Sequence, residues 1–208
     1  MENEGNSIKR QSLMRSANVE FEVVTWAPSQ ADVDLSVACM FERETPGAHL
    51  SGGLKQLDEA LGGALTGLRE EGSFRAQEME TLLVRKPPMQ VRAQWILIIG
   101  LGNPLTLSSE TLERALRVSV REAIRVQACT VAFAPNLLDA GLTDLEFLHV
   151  EAAMVRGVIS GLHAEYRLAE IGLAALPEIQ RWAFETGSAH FEAVTGELLR
   201  AFNRFAEI

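Results

Sequence analysis

The chain has 208 residues, of which 47% are hydrophobic and 23% charged, with a formal net charge of −9. That balance excludes a disordered chain, which needs fewer apolar residues to stay unfolded. The acidity argues against a general nucleic-acid binder, which displaces counterions with a basic face. A chain this long forms one domain burying about 70% of its unfolded surface.

Residues 1–18 are polar and aperiodic and read as a flexible N-terminal tail, with a single domain over 19–208. The tail has no apolar h-region, and no apolar run approaches the roughly 20 residues that span a bilayer. The expected location is the cytoplasm, without a membrane. Phe21–Trp26 and Val33–Phe41 read as strands, with Pro28 and Ser29 marking the turn between them. A helix follows over Ser51–Glu71, where Leu54, Leu57, Leu61, Leu65 and Leu68 share one face. Gly62, Gly63 and Gly67 each cost that helix about 1 kcal/mol relative to alanine. Either the helix breaks there or another backbone packs close.

Glu80–Val84 and Trp95–Gly100 are the next strands, separated by Pro87-Pro88. The second is continuously apolar, as in a central strand covered on both faces. A helix over Ser109–Gln127 takes Ser108 or Ser109 as its cap, and Cys129–Ala134 is another strand. Thr143 and Glu146 have capping-box spacing at the head of a helix whose apolar positions are Leu145, Leu148, Ala152, Val155, Ile159, Leu162 and Tyr166. Glu178–Phe184 is the sixth strand. The last helix, from Ser188, carries Phe191, Val194, Leu198, Phe202 and Phe205 on one stripe. Alternating strands and helices predict an α/β fold: a mixed, mostly parallel central sheet of about six strands, with helices on both faces.

The residues carry no catalytic constellation. His49, His149, His163 and His190 form no H-E-x-x-H motif and no zinc-spaced pair with Cys39 or Cys129. The two cysteines sit in apolar runs and read as small buried hydrophobes. Glu146 and His149 stand one helical turn apart, but Glu146 already serves the capping box. No G-x-S-x-G elbow or G-x-x-x-x-G-K-S/T loop occurs. No catalytic residue, metal ligand or cofactor is therefore expected.

Two features invite a binding role. The loop Gly100-Leu101-Gly102-Asn103-Pro104 runs from a strand to a helix, where backbone N–H groups can hold an anion. The dinucleotide fingerprint would need glycine at 105, which is Leu105. Gly100, Gly102 and Asn103 are thus the candidate ligand residues, against a plain strand-to-helix turn. Arg114, Arg117, Arg121 and Arg125 fall within about 80° on the second helix. They are the candidate partner surface, against a solvated face in which Glu110 and Glu113 pair with Arg114 and Arg117.

The run Leu50-Ser51-Gly52-Gly53-Leu54 to Leu65 resembles the first helix of the N-terminal domain of leucyl aminopeptidases. Trp95-Ile96-Leu97-Ile98-Ile99-Gly100-Leu101-Gly102 is similar to that family's strand ending in Val-Gly-Leu-Gly. The resemblance spans about residues 19–208 and implies a macro-domain-like fold. Family members carry a second domain with a two-metal site whose signature includes Asn-Thr-Asp-Ala-Glu-Gly-Arg, which does not occur here. The resemblance therefore implies a non-catalytic relative, inactive as an aminopeptidase on this chain alone. Its expected role is protein interaction, regulation or assembly, with a full-length aminopeptidase, another protein or a second copy as partner. The alternative is a macro-like binder of ADP-ribose or a nucleotide. Gly157 and Gly161, inside the third helix, fit close helix packing better than ligand binding.

Overall fold

The computed structural model describes residues 8–16, 18–142 and 148–205. In chain order the elements are β1 (Arg10–Ser16), β2 (Val19–Val24), β3 (Leu35–Met40), α1 (Gly52–Ala60), α2 (Ala64–Glu71), β4 (Thr81–Val84), β5 (Trp95–Gly100), α3 (Ser109–Arg125), β6 (Thr130–Ala134), α4 (Val150–Glu170), β7 (Arg181–Glu185) and α5 (Phe191–Phe205). The sheet has seven strands in the order β1-β2-β7-β6-β3-β5-β4. Strands β2, β7, β6, β3 and β5 are parallel, and β1 and β4 close the edges antiparallel. The mixed, mostly parallel α/β sheet is as expected.

Strand alternation divides the core in two. Phe21, Val37, Leu97, Phe133 and Phe184 face one side, where Leu112, Leu116 and Val120 of α3, Val155, Val158 and Leu162 of α4, and Leu198 and Phe202 of α5 cover them. Phe202 lies 4.8 Å from Phe21, centroid to centroid, so the last helix docks on its own domain. Ala38, Met40, Ile96, Ile98, Ala132 and Ala183 face the other side, under Leu54 and Leu57 of α1 and Leu65 of α2. There the β2–β3 connection, with a 3-10 turn at Pro28–Gln30, packs against α1.

Two expectations change. Arg10–Ser16, assigned to a flexible tail, forms edge strand β1. Its ladder to β2 contains a bulge between Ser12 and Met14, which masks its alternation in the sequence. The helix expected over 51–71 divides at Gly62 and Gly63, whose φ values are 71° and 77°. The buried Asp58 carboxylate accepts the N–H of Leu65 at 2.8 Å and so starts α2. The glycines are there to turn the chain, a left-handed conformation they adopt without strain. The capping box at Thr143 and Glu146 falls outside the described residues.

Gly157 and Gly161 seat α4 on α3. A Cβ on Gly157 would stand 2.6 Å from Leu116 Cβ.

Candidate functional site

In a parallel sheet the strands' carboxyl ends meet at one edge, where open α/β folds place ligands. Here β2, β3, β5, β6 and β7 all end at that edge, and the connections after them build it.

Gly100, Gly102 and Asn103 lie at the end of β5. The Gly100 N–H goes to Glu80 O at 2.8 Å, that of Leu101 to Met40 O at 2.8 Å, and that of Gly102 to Ala76 O at 3.0 Å. A Cβ on Gly100 would fall 2.1 Å from Gln77 O. Asn103 Oδ1 accepts the N–H of Leu105 at 3.1 Å. The N–H groups of Gly100, Leu101 and Gly102 thus serve the chain itself, which favours the plain strand-to-helix turn over the candidate anion cradle, and glycine at 100 admits the Ala76–Gln77 backbone.

The N-terminus of α1 is also occupied from within. Asp139, after β6, accepts the Leu54 N–H on Oδ2 at 2.8 Å. Asn136 Nδ2 donates to the same oxygen at 2.9 Å. The carboxylate sits where the helix dipole would draw an anion.

Beside it lies a cluster that reading the sequence passed over. Glu185 ends β7 and pairs in register with Val24 of β2, while Phe184 pairs with Phe133 of β6. Trp26 and Asn136, just beyond those neighbouring strands, thus flank Glu185 from opposite sides. Glu185 is 7% exposed, and Trp26 is 5% exposed. The Glu185 carboxyl oxygens, Trp26 Nε1 and Asn136 Oδ1 are all buried, with the Trp26 indole N–H interacting with the Glu185 carboxyl. Burial pushes the Glu185 carboxyl well above its ordinary range; the Trp26 indole N–H draws it down, and the Asp139 charge raises it further. The available signal was a lone carboxylate closing an otherwise apolar strand, Trp182-Ala183-Phe184-Glu185.

The four arginines line α3 as expected, and each has a partner in its own chain. Arg114 pairs with Glu78. Arg117 reaches Ser160 Oγ at 2.9 Å and Glu113 at 3.6 Å. Arg121 meets Glu165 at 3.4 Å, and Arg125 pairs with Glu122. Arg117 and Arg121 thereby tie α3 to α4. Partially exposed pairs of this kind contribute little stability each.

At the opposite, amino edge, Arg15, Asn18, Tyr166, Leu176, Pro177 and Gln180 line an open groove of about 340 Å³. Above it the first six residues of the α4–β7 connection, Ile171-Gly172-Leu173-Ala174-Ala175-Leu176, are all exposed.

Among the described residues, no three His, Cys, Asp or Glu side chains are grouped to hold a metal ion. Cys39 is buried, and burial pushes its thiol upward. Among the described residues, no helix is long and apolar enough to cross a membrane.

The seven-stranded, mostly parallel sheet with helices on both faces defines a macro-domain-like α/β fold. An Oceanobacillus iheyensis macrodomain with ADP superposes with a TM-score of 0.60 at 12% identity, covering 97% of this chain and 99% of that one. A tomato leucine aminopeptidase mutant superposes with a TM-score of 0.65 at 20% identity, covering 90% of this chain and 36% of that one. The model of the cytosol aminopeptidase family's N-terminal domain matches residues 40–167, more than half of the chain. The chain belongs to that family, and the part that matches is its N-terminal domain. A probable cytosol aminopeptidase of Thermosynechococcus vestitus is 33% identical over 112 residues, 53% of this chain and 21% of that protein. One of Alkaliphilus oremlandii is 32% identical over 93 residues, 45% of this chain and 18% of that protein. The matched stretch thus spans about a fifth of the length of these relatives.

Proposed function

We propose that this chain is a non-catalytic, cytoplasmic interaction module that docks a protein partner through the α4–β7 connection. The observation that carries the reading is the exposure of Ile171, Leu173 and Leu176, at 50%, 73% and 67%. Closely spaced exposed aliphatic side chains beside a groove are a recurrent mark of protein contact sites. The partner we favour is a full-length cytosol aminopeptidase, because the family's N-terminal domain is the part shared with those longer relatives. The arginines of α3 are engaged within the chain and contribute less to this reading than the apolar connection.

The test is a binding measurement between the purified chain and a purified full-length cytosol aminopeptidase, with a Leu173→Asp/Leu176→Asp variant beside it. The reading expects micromolar or tighter binding by the wild type and at least tenfold weaker binding by the variant, with the fold unchanged by circular dichroism. Equal binding by both, or none by either, overturns it. Light scattering on the chain alone separates self-association from partner binding. The ADP-ribose or nucleotide reading has the fold in its favour, but closure of the Gly100–Asn103 loop and the Asp139 cap on α1 count against it. A thermal shift with ADP-ribose would restore it.

A further inference from the structure

The two edges of the sheet are finished differently. At β1 the ladder to β2 is bulged between Ser12 and Met14, and Arg10, Gln11 and Ser12 are exposed. Bulges and exposed charges guard an edge against strand-to-strand association. At the other edge, β4 runs in unbroken register with β5 from Thr81 to Val84. Its Leu82, Leu83 and Val84 are half-buried and apolar. The direction of its backbone groups follows from β5. The Leu101 N–H bonds Met40 O beyond β3, and the Gly100 N–H bonds Glu80 O. Alternation then turns Leu82 and Val84 towards β5, and Thr81 and Leu83 outward. Among the described residues, the N–H and C=O groups of Thr81 and Leu83 have no backbone partner.

We propose that β4 is a self-association edge, at which a second copy of this chain adds its own β4 antiparallel across a two-fold axis and continues the sheet. An axis perpendicular to the sheet keeps each face in line, so every residue pairs with one of its own parity. Centred on Leu83, this pairing bonds Leu83 to its own copy, sets Leu82 opposite Val84, and sets Glu80 opposite Lys86. Centred on Leu82 it would oppose Glu80 to Val84, and centred on Val84 it would oppose Leu82 to Lys86. Of these registers the first matches apolar to apolar and acid to base, and both kinds of cross-strand pair are stabilising. Glu80 is held in place for it: its Oε2 accepts the N–H groups of Arg75 and Gln77, each at 3.0 Å. Lys86 is exposed and has no ion pair among the described residues. Pro87-Pro88 ends the pairing there, since proline gives the ladder no donor. So short an interface is of the weak, reversible kind, and it does not involve the α4–β7 connection.

Sedimentation velocity of the purified chain over a wide range of concentration is the test. The wild type is expected to pass from monomer to dimer as concentration rises. Leu83→Pro removes an outward N–H and leaves the bonds to β5 in place, so the variant is expected to stay monomeric with its circular dichroism unchanged. Lys86→Glu sets acid against the second copy's Glu80 on both sides of the axis and is expected to weaken association about tenfold. It lies outside the strand and keeps the test decisive if Leu83→Pro fails to fold. Leu173→Asp/Leu176→Asp, which alters the α4–β7 connection, is expected to dimerise as the wild type does. A wild type that is monomeric throughout, a dimer that Leu83→Pro or Lys86→Glu leaves intact, or a dimer lost in the Leu173→Asp/Leu176→Asp variant overturns the proposal.

Discussion

Asp139 Oδ2 accepts the backbone N–H of Leu54 at 2.8 Å, so a side chain from the 3-10 turn after β6 caps the first turn of α1 across 85 residues of sequence. The same residue's carbonyl accepts the Ser51 N–H at 3.1 Å and the Ser51 hydroxyl at 3.1 Å. This contact joins the two sides of the carboxyl edge and fills the position a bound anion would take. Asp139→Ala is expected to cost about 1–2 kcal/mol in urea unfolding, the usual loss for a helix cap. It also uncovers the helix N-terminus. Phosphate is therefore expected to stabilise the variant more than the wild type, and an equal response would mean that the edge is closed by something other than Asp139.

Glu185 makes stability depend on pH in a direction opposite to that of a salt-bridged carboxylate. Its folded-state pKa lies above the ordinary 4.5. The stability it contributes is fully present below that value and is lost as pH rises through the raised pKa. Each pKa unit corresponds to about 1.4 kcal/mol. Glu185→Gln cannot ionise, so its advantage in Tm over the wild type is expected to widen from pH 5 to pH 9 in sodium buffers. A difference that stays constant would show that the carboxyl titrates normally.

The α3–α4 seam depends on a missing side chain. At Gly157 a Cβ would meet Leu116 Cβ at 2.6 Å and Glu113 O at 2.7 Å. Gly157→Ala is expected to destabilise by about 1–3 kcal/mol through overpacking. Gly67, in α2, has nothing within 4 Å of the same construction. There, alanine is expected to stabilise by about 0.5–1 kcal/mol through helix propensity alone. Paired denaturation curves of the two variants check both signs.

At the amino edge, Asp34 joins three strands. Its Oδ2 accepts the N–H groups of Cys129 at 2.9 Å and Thr130 at 2.8 Å, and the Thr130 hydroxyl at 3.0 Å. Its Oδ1 accepts from Gln94 Nε2 at 2.8 Å. Asp34→Ala leaves these donors without their acceptor and is expected to cost about 2 kcal/mol or more. Asp34→Asn, which keeps one oxygen, is expected to recover part of that loss in the same unfolding assay.

The family and the layered α/β plan were legible from the apolar strand Trp95–Gly100, the leucine period of Leu54–Leu68 and the phenylalanine stripe of α5. These signals are local: period and composition need no knowledge of what lies opposite. β1 was not legible, because its ladder contains a bulge and its position at the sheet edge leaves most of it polar. The Gly100–Asn103 loop was legible as a strand-to-helix turn. Whether its N–H groups were free depended on Ala76, Glu80 and Met40, which arrive from other parts of the chain.

The elements, their alternation and the family can be read along the chain, because burial patterns are written into each segment. The character of the carboxyl edge arises only from packing. Packing brought Asp139 to the head of α1 and engaged the N–H groups of the glycine loop. It also placed Trp26 and Asn136 on either side of Glu185. Charge and hydrogen-bond balance at a site is a property of neighbours in space. Those neighbours are set by the order β2-β7-β6 in the sheet, which brings together segments more than 100 residues apart in the chain.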